Sequence, residues 1–286
     1  MPFITFRPRQ VVLALALLAL ARPATAQQRP LQTEDPETIG AGRLMIEAGA
    51  DYKRDVYYPL SGLRGNLFTV PTMGLSIGVS SIAEIQVDGG LYQKLNITQQ
   101  VPSAPFSKGL QLNGSSTSDV EDLNIGMKVR FLSETSGRPA MAFRFSTRLP
   151  NASNESGLGT DMQDFSASLI FGKTVQSVRV VGNVGMLILG NPTVPAAQDD
   201  LLAYSLSIAR AISAKAEVVG EFVGRANFGD IVTPGAEDRG LLRFGMRYTI
   251  NTVRFDAGVL LGLTPRDPEI GLTGGLTWVF DGFKVP

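Results

Sequence analysis

Hydrophobic and polar residues alternate one by one through most of the chain. Within residues 43–52, Leu44 and Ile46 fall on one face of an extended backbone. Glu47 and Asp51 fall on the opposite face. A period of two residues predicts β-strands with one apolar and one polar side. Helical spacing is not sustained anywhere after the N-terminal apolar run, so the sequence predicts an all-β fold.

About twelve strands follow from this alternation, each 11 to 15 residues long. Strands of soluble sheets average about 5–6 residues, whereas tilted strands that cross a membrane need about 9–11. The lengths therefore favour membrane-spanning strands. The least regular strand is 177–189, where Val181 and Leu187 interrupt the alternation. The predicted strands are 42–53, 65–79, 83–94, 120–132, 139–149, 162–173, 177–189, 200–211, 214–225, 239–249, 252–263 and 269–280.

The predicted connections alternate between long and short. Outer-membrane barrels combine short periplasmic turns with longer outer loops and an even number of strands. We therefore predict a transmembrane antiparallel up-and-down β-barrel. The long connections are 54–64, 95–119, 150–161, 190–199, 226–238 and 264–268, and the short ones are 80–82, 133–138, 174–176, 212–213 and 250–251.

Aromatic residues recur on the apolar face, at the ends of strands that are predicted to run toward the periplasm. Such rings belong at the headgroup level of a membrane, so they resemble one girdle of a barrel. The alternative is a soluble β-sandwich, in which the same rings lie in the core and the charged face is outside. The residues concerned are Phe131, Phe171, Tyr248, Trp278 and Phe280.

The N-terminus has the form of an export signal. Arg7 and Arg9 precede an apolar run at 11–21, and Ala24-Thr25-Ala26 has the small-residue pattern of a cleavage site. An N-terminal membrane anchor is disfavoured, because a membrane helix needs about 20 apolar residues. The short segment that follows is too small for a plug domain, although it has the length to tuck into the barrel. We predict a signal peptide over 1–26, a periplasmic N-terminal segment over 27–41 and the barrel over 42–286.

The composition excludes several classes of function. The chain has no Cys and no His, which removes thiol chemistry, Cys zinc sites and imidazole bases or ligands. Its 26 basic and 26 acidic residues balance, so no basic surface for nucleic acid is expected. Glu217 and Glu221 remain as a carboxylate pair of the kind used in acid–base catalysis, but pairing with bases on a neighbouring strand is the favoured interpretation. We expect no enzyme activity, no cofactor and no metal site.

Charged residues on the polar strand faces are the candidates for the barrel interior. Counted over all predicted strands, eleven basic residues oppose ten acidic ones, so selection for one ion sign is not expected. A barrel of eight strands is filled by its own side chains, whereas a porin of 16–18 strands has an open aqueous channel. A barrel of about twelve strands is intermediate in size, which predicts a narrow bore. The principal candidates are Glu47, Asp51, Lys128, Arg144, Arg148, Asp164, Arg179, Glu217, Glu221, Arg243, Arg247, Arg254 and Asp256.

Consecutive antiparallel strands restrict which of these charges can face each other. A single register of strands 214–225 and 239–249 places Glu217 opposite Arg247 and Glu221 opposite Arg243. Directly opposed opposite charges stabilise a strand pair. We therefore predict these as neighbouring pairs on the inner wall. By the same reasoning Arg148 faces Asp164, and Arg254 and Asp256 extend the ladder on the next strand.

Several short motifs resemble those of one bacterial outer-membrane family. They are Thr38-Ile39-Gly40-Ala41-Gly42-Arg43-Leu44, the strand from Asp122 to Phe131, Thr147-Arg148-Leu149-Pro150, Gly157-Leu158-Gly159-Thr160-Asp161 and Asp164-Phe165. They are similar to the transporter-like barrels of the MetA-pathway-of-phenol-degradation family. The resemblance covers most of the chain after the signal, and its motifs describe strand ends and turns. It implies a barrel and the uptake of small organic compounds, and it supplies no catalytic residues.

The sequence thus predicts an outer-membrane barrel that passively admits small hydrophobic or aromatic compounds. Its expected partners are outer-membrane lipid, lipopolysaccharide and a small organic solute. Two alternatives stay open. One is a narrow nonspecific porin, and the other is a structural or surface-interaction barrel that transports nothing and uses its 95–119 loop for contacts.

Overall fold

Fourteen strands form one antiparallel sheet in the computed structural model, which describes residues 29–284. β1 pairs with both β14 and β2, so the sheet closes on itself. Among the described residues, no helix is long and apolar enough to cross a membrane. The strands are β1 (Arg43–Tyr58), β2 (Leu63–Gly78), β3 (Ala83–Gly90), β4 (Gln93–Gln100), β5 (Ser116–Asp119), β6 (Leu123–Leu132), β7 (Ala140–Leu149), β8 (Asp164–Val175), β9 (Val178–Gly190), β10 (Gln198–Ala211), β11 (Ala216–Asn227), β12 (Arg239–Ile250), β13 (Val253–Gly262) and β14 (Ile270–Asp281).

Four of these strands are halves of two interrupted ones. β2 pairs with β3 along residues 72–78 and with β4 along residues 63–69. In the next position around the wall, β6 pairs with β3 and β5 pairs with β4. β3 and β4 therefore form one strand of the wall, and β5 and β6 form another. The result is the closed antiparallel barrel of twelve strands that the sequence predicted.

The two faces of the sheet have opposite chemistry. On the outside, Leu206 and Phe244 expose 51% and 50% of their surface. On the inside, Lys128 and Glu84 are buried to 1% and 0% exposure. A soluble sandwich would bury its apolar side chains and expose its charges. The reversed arrangement is that of a membrane barrel with an apolar outer face.

The predicted aromatic residues lie near the strand ends on the side of the barrel that carries the short turns. Phe131, Tyr248 and Trp278 are all exposed on the outer face. Phe280 is half-buried and stacks at a tilt on Trp278, with ring centroids 4.3 Å apart. Phe171 is also half-buried. This set of rings agrees with a girdle at one membrane interface.

The predicted outer loop 54–64 is wrong. β1 and β2 both extend into it and are joined by the four residues 59–62. The alternation was hidden because the register shifts after Lys53, where Asp55 adopts a φ of 60°. Such a bulge re-aims the residues that follow, and Val56 accordingly points inward and is buried.

The later connections keep the expected difference in length. The loops at one end include 101–115 and 150–163, and we call these two segments the outer loops. The turns at the other end include 176–177 and 251–252. The 101–115 loop is shorter than the predicted 95–119 because β4 and β5 extend into it. The predicted signal peptide, residues 1–26, lies outside the described residues.

Candidate functional site

Residues 29–41, here called the N-terminal segment, run through the interior of the barrel. Leu31, Thr33, Glu34 and Ile39 are all buried, and their neighbours are inward-facing residues of the wall. The prediction of a separate periplasmic segment therefore does not describe the contacts of this stretch. The segment is instead tucked into the lumen, an arrangement that the sequence left open. The physical reason is a set of acids in the segment that meet bases on the wall.

Three acids of the segment contact basic side chains on β6, β7 and β9. The Glu34 carboxylate lies 3.2 Å from Nζ of Lys128 and 3.1 Å from Nε of Arg144. Asp35 binds Arg179 through both carboxylate oxygens, and Glu37 binds Arg130. A buried charge is tolerated only when it is paired in this way. Burial opposes the ionisation of Glu34, but Lys128 and Arg144 outweigh it and hold its pKa below the ordinary value.

The backbone of the segment is also bound by wall side chains. Glu221 accepts hydrogen bonds from the backbone N–H groups of Gln32 and Thr33, each at 2.8 Å, and from the Thr33 hydroxyl at 2.7 Å. Asn183 accepts from the N–H of Glu34 at 2.8 Å and donates to its carbonyl at 2.9 Å. Buried backbone groups need such partners when no ladder or water supplies them. The segment is thus held by specific contacts on opposite sides of the barrel.

The first described residues are bound by the wall formed by β12 and β13. Arg29 donates to the carboxylate of Asp256 at 3.4 Å. Arg247 donates to the carbonyl of Arg29 at 2.8 Å, and Arg243 donates to the carbonyl of Pro30 at 3.1 Å. Arg243 and Arg247 therefore bind the N-terminal segment and also pair with acids of the neighbouring strand β11.

The predicted charge pairs agree with the observed register. Glu217 is the register partner of Arg247 and Glu221 that of Arg243, with a closest nitrogen–oxygen distance of 3.6 Å in each pair. Arg148 is likewise the partner of Asp164 and forms an ion pair with it. Of the thirteen interior candidates, Glu47, Lys128, Asp164, Glu221, Arg243, Arg247, Arg254 and Asp256 are buried, and Asp51, Arg144, Arg148, Arg179 and Glu217 are half-buried.

The acids that bind these bases from inside the lumen were not among the residues predicted from the sequence. Glu34, Asp35 and Glu37 lie in a stretch that was assigned to the periplasm. One signal was available, since three acids occur within four residues just before the first strand, and the interior candidates of β6, β7 and β9 are all basic. Opposite charges of that kind on a tethered segment and on the wall indicate a contact between them.

A cavity of about 660 Å³ occupies the barrel between the N-terminal segment and the outer loop 150–163. Gln32 of the segment and Arg243 line its floor, and Gly157 and Leu158 of one outer loop line its roof. Its wall contains many apolar side chains that point inward, including Val56, Leu67, Leu187, Val223, Leu241 and Leu260. Leu187 thus interrupts the strand alternation because it lines this cavity.

Apolar packing closes much of the outer end of the cavity. Leu158 packs in one cluster with the inward-facing Leu63, Leu67 and Leu95. The Ser61 hydroxyl donates to the carbonyl of Gly157 at 2.8 Å. The outer loop 150–163 is therefore folded onto the mouth of the barrel. The cavity is consequently a bounded chamber, closed below by the segment and narrowed above by a loop.

Sequence comparison identifies one family. The sequence model described as "Putative MetA-pathway of phenol degradation" matches residues 27–278, which is most of the chain. No curated protein matches the chain significantly.

Solved barrels share the fold at low sequence identity. The NanC porin superimposes with a TM-score of 0.50 at 8% identity, covering 84% of this chain and 99% of that one. The translocator domain of the autotransporter NalP from Neisseria meningitidis gives 0.49 at 11% identity, covering 95% and 96%. The Pseudomonas putida toluene transporter TodX gives 0.40 at 10% identity, covering 87% and 92%. The fold is that of outer-membrane barrels.

Proposed function

Because this chain belongs to the family described as the putative MetA-pathway of phenol degradation, we propose that it is an outer-membrane channel that passively admits small hydrophobic or aromatic compounds. The cavity is the observation that carries this proposal. Binding sites for small molecules enclose about 300–1,000 Å³ and are mostly apolar with a few polar groups. The cavity of about 660 Å³, lined by side chains such as Tyr58, Leu187 and Leu260, has this size and character.

The N-terminal segment is the barrier that a compound meets below the cavity. Its contacts with Lys128, Arg144 and Arg179 on one side and Glu221 on the other span the lumen. We propose that passage to the periplasm requires this segment to shift. The cavity then acts as a binding chamber above a closed lumen.

A narrow nonspecific porin is the second candidate. A porin has a continuous aqueous channel. Here the segment crosses the lumen and is bound through both side chains and backbone. This arrangement favours a selective or gated path over steady conductance. A purely structural barrel is less favoured, because such a role makes no use of a chamber with a mostly apolar lining.

We propose that the barrel acts without catalysis. The remaining catalytic candidates, Glu217 and Glu221, each face an arginine on β12. Glu221 in addition accepts hydrogen bonds from three donor groups of the N-terminal segment. A carboxylate held by this many partners has a structural role in the wall. For partners, we propose lipid on the apolar outer face and lipopolysaccharide around the outer rim.

Uptake into vesicles tests the proposed function. The full-length protein would be reconstituted into liposomes with a lipopolysaccharide outer leaflet, which slows the permeation of phenol and toluene through the lipid itself, and the entry of phenol, toluene and glucose would be compared with protein-free liposomes of the same composition. We expect phenol and toluene to enter faster with protein and glucose to be unaffected. Acceleration of glucose or salt alone would favour the porin. No acceleration of any compound would favour a structural barrel.

A further inference from the structure

Two arginines stand directly opposite each other on the cavity wall. Arg225 on β11 is the register partner of Arg239 on β12, and both line the cavity. Like charges in directly opposed positions destabilise a strand pair. The opposed pairs nearer the periplasm on the same two strands, Glu221 with Arg243 and Glu217 with Arg247, combine opposite charges. The arginine pair is therefore the exception in this ladder.

Neither guanidinium forms an ion pair with a carboxylate of residues 29–284. Arg225 donates its Nε to the carbonyl of Glu237 at 3.0 Å and its Nη2 to the carbonyl of Gly235 at 2.6 Å. Nε of Arg239 is buried and has no hydrogen-bond partner among the described residues. Arg225 is thus oriented by two loop carbonyls, and neither positive charge has a carboxylate partner among the described residues.

Most acids that line the same cavity have other partners. Asp122 and Asp164 both bind Arg148. Asp267 accepts hydrogen bonds from the N–H of Gly240 at 3.0 Å and from the Thr264 hydroxyl at 2.6 Å. Glu121 is the one lining acid without an ion pair or hydrogen bond to its carboxylate in the part of the chain that the structure describes. The acids of the cavity lining therefore leave both guanidinium groups without an ion pair among the described residues.

The residues next to the arginine pair are apolar. Val223 and Leu241 are register partners on the same inner face, two residues nearer the periplasm than the arginine pair. Both line the cavity. Two residues along a strand span about 6.8 Å, which is close to the length of a benzene ring with one small substituent. Below them lies the Glu221–Arg243 pair, which closes the floor. This part of the wall thus has a cationic upper end, an apolar middle and a lower end whose charges are paired.

We propose that this wall binds a small organic anion, with its carboxylate on Arg225 and Arg239 and its apolar body on Val223 and Leu241. Guanidinium groups suit carboxylates because their donors form paired, charge-assisted hydrogen bonds. This inference rests on the proposed function and deepens it, since it makes small aromatic acids the preferred class among the compounds admitted. The balanced charge of the whole lumen does not conflict with it, because the two arginines stand side by side without an ion pair among the described residues.

Calorimetric titration of the full-length protein in detergent tests the site, with benzoate as the probe and benzamide as a neutral compound of the same shape. We expect benzoate to bind at least about tenfold more tightly than benzamide, since a hydrogen bond to a charged group outweighs a neutral one by that order. Arg239→Gln should weaken benzoate about tenfold and leave benzamide unchanged. Arg138→Gln, in the turn between β6 and β7 and outside the cavity lining, is the matched control and should change neither.

The fold of each variant would be checked by its heat-dependent migration on gels. Equal affinity for benzoate and benzamide, an unaltered benzoate affinity in Arg239→Gln, or no benzoate binding would each overturn the anion site. Phenol uptake into liposomes separates this failure from that of the channel. If phenol still enters while benzoate does not bind, only the anion site is wrong. If neither compound enters or binds, the proposed function fails with it.

Discussion

Glu221 and Arg243 form a wall pair that also holds the N-terminal segment. They are register partners on β11 and β12, with Oε1 and Nε 3.6 Å apart. Glu221 accepts from the backbone of Gln32 and Thr33, while Arg243 donates to the carbonyl of Pro30. The same two side chains therefore belong to the wall and also hold the segment that closes the lumen. Changes at this pair should loosen the segment before they disrupt the barrel.

Glu221→Gln should release the segment from the β11 wall. The amide keeps the size of the carboxylate but removes its charge, and hydrogen bonds to charged groups contribute about 1.5–3 kcal/mol each. We expect faster cleavage by an added protease within the segment, at unchanged barrel stability in urea. Glu217→Gln is the matched control, because Glu217 also pairs with an arginine of β12 but makes none of these bonds to the segment. Equal protease sensitivity of both variants would show that Glu221 does not anchor the segment.

Neutralising the acids of the segment should open the lumen and give it a charge preference. In the variant Glu34→Gln, Asp35→Asn, Glu37→Gln, the bases Lys128 and Arg179 lose their carboxylate partners on the segment. Lys128 and Arg179 keep Glu84 and Glu134 as partners, but the lumen loses three negative charges, and an excess of positive charge in a pore favours anions. We expect a higher conductance in planar bilayers and a reversal potential in a salt gradient that indicates anion selectivity.

Deleting residues 29–38 is the control for this experiment. Both the deletion and the triple variant should conduct, since both remove the carboxylates of Glu34, Asp35 and Glu37 that pair with the wall. An open, anion-selective deletion with a silent triple variant would mean that the backbone contacts alone keep the lumen closed. A deletion that conducts no better than the parent would contradict the barrier role of the segment.

The alternation of the sequence determines which residues face each other within one hairpin. The arrangement of the lumen also depends on contacts between residues that are far apart in the chain. The pairs Glu217–Arg247 and Glu221–Arg243 follow from a period of two and one shared turn, so they were predictable. The contact of Glu34 with Lys128 joins residues 94 positions apart, and no local period encodes it. The bulge at Asp55 was missed for a related reason. A single left-handed residue shifts the inner and outer faces without any change in composition.

Filling the cavity should slow uptake without unfolding the barrel. Leu187 lines the cavity, and Leu187→Trp adds a large side chain to the chamber. We expect a severalfold slower entry of phenol into liposomes. Leu206→Trp introduces the same side chain on the outer face of β10, where Leu206 is 51% exposed, and should leave the rate unchanged. Equal rates in the two variants would indicate a path for phenol that bypasses the cavity.

Charge placed on the outer face should destabilise the barrel according to its depth in the membrane. Leu206 lies in the middle of β10, whereas Ile212 lies in the turn after it, and both are exposed. Arginine near the midplane of a bilayer costs a barrel about 2–4 kcal/mol, and this cost falls to about 0–1 kcal/mol near the interface. Leu206→Arg should therefore lower the free energy of unfolding in lipid vesicles, measured by urea titration, much more than Ile212→Arg does. Because the difference arises only if this face contacts hydrocarbon, equal small losses in both variants would contradict the membrane orientation on which the transport proposal depends.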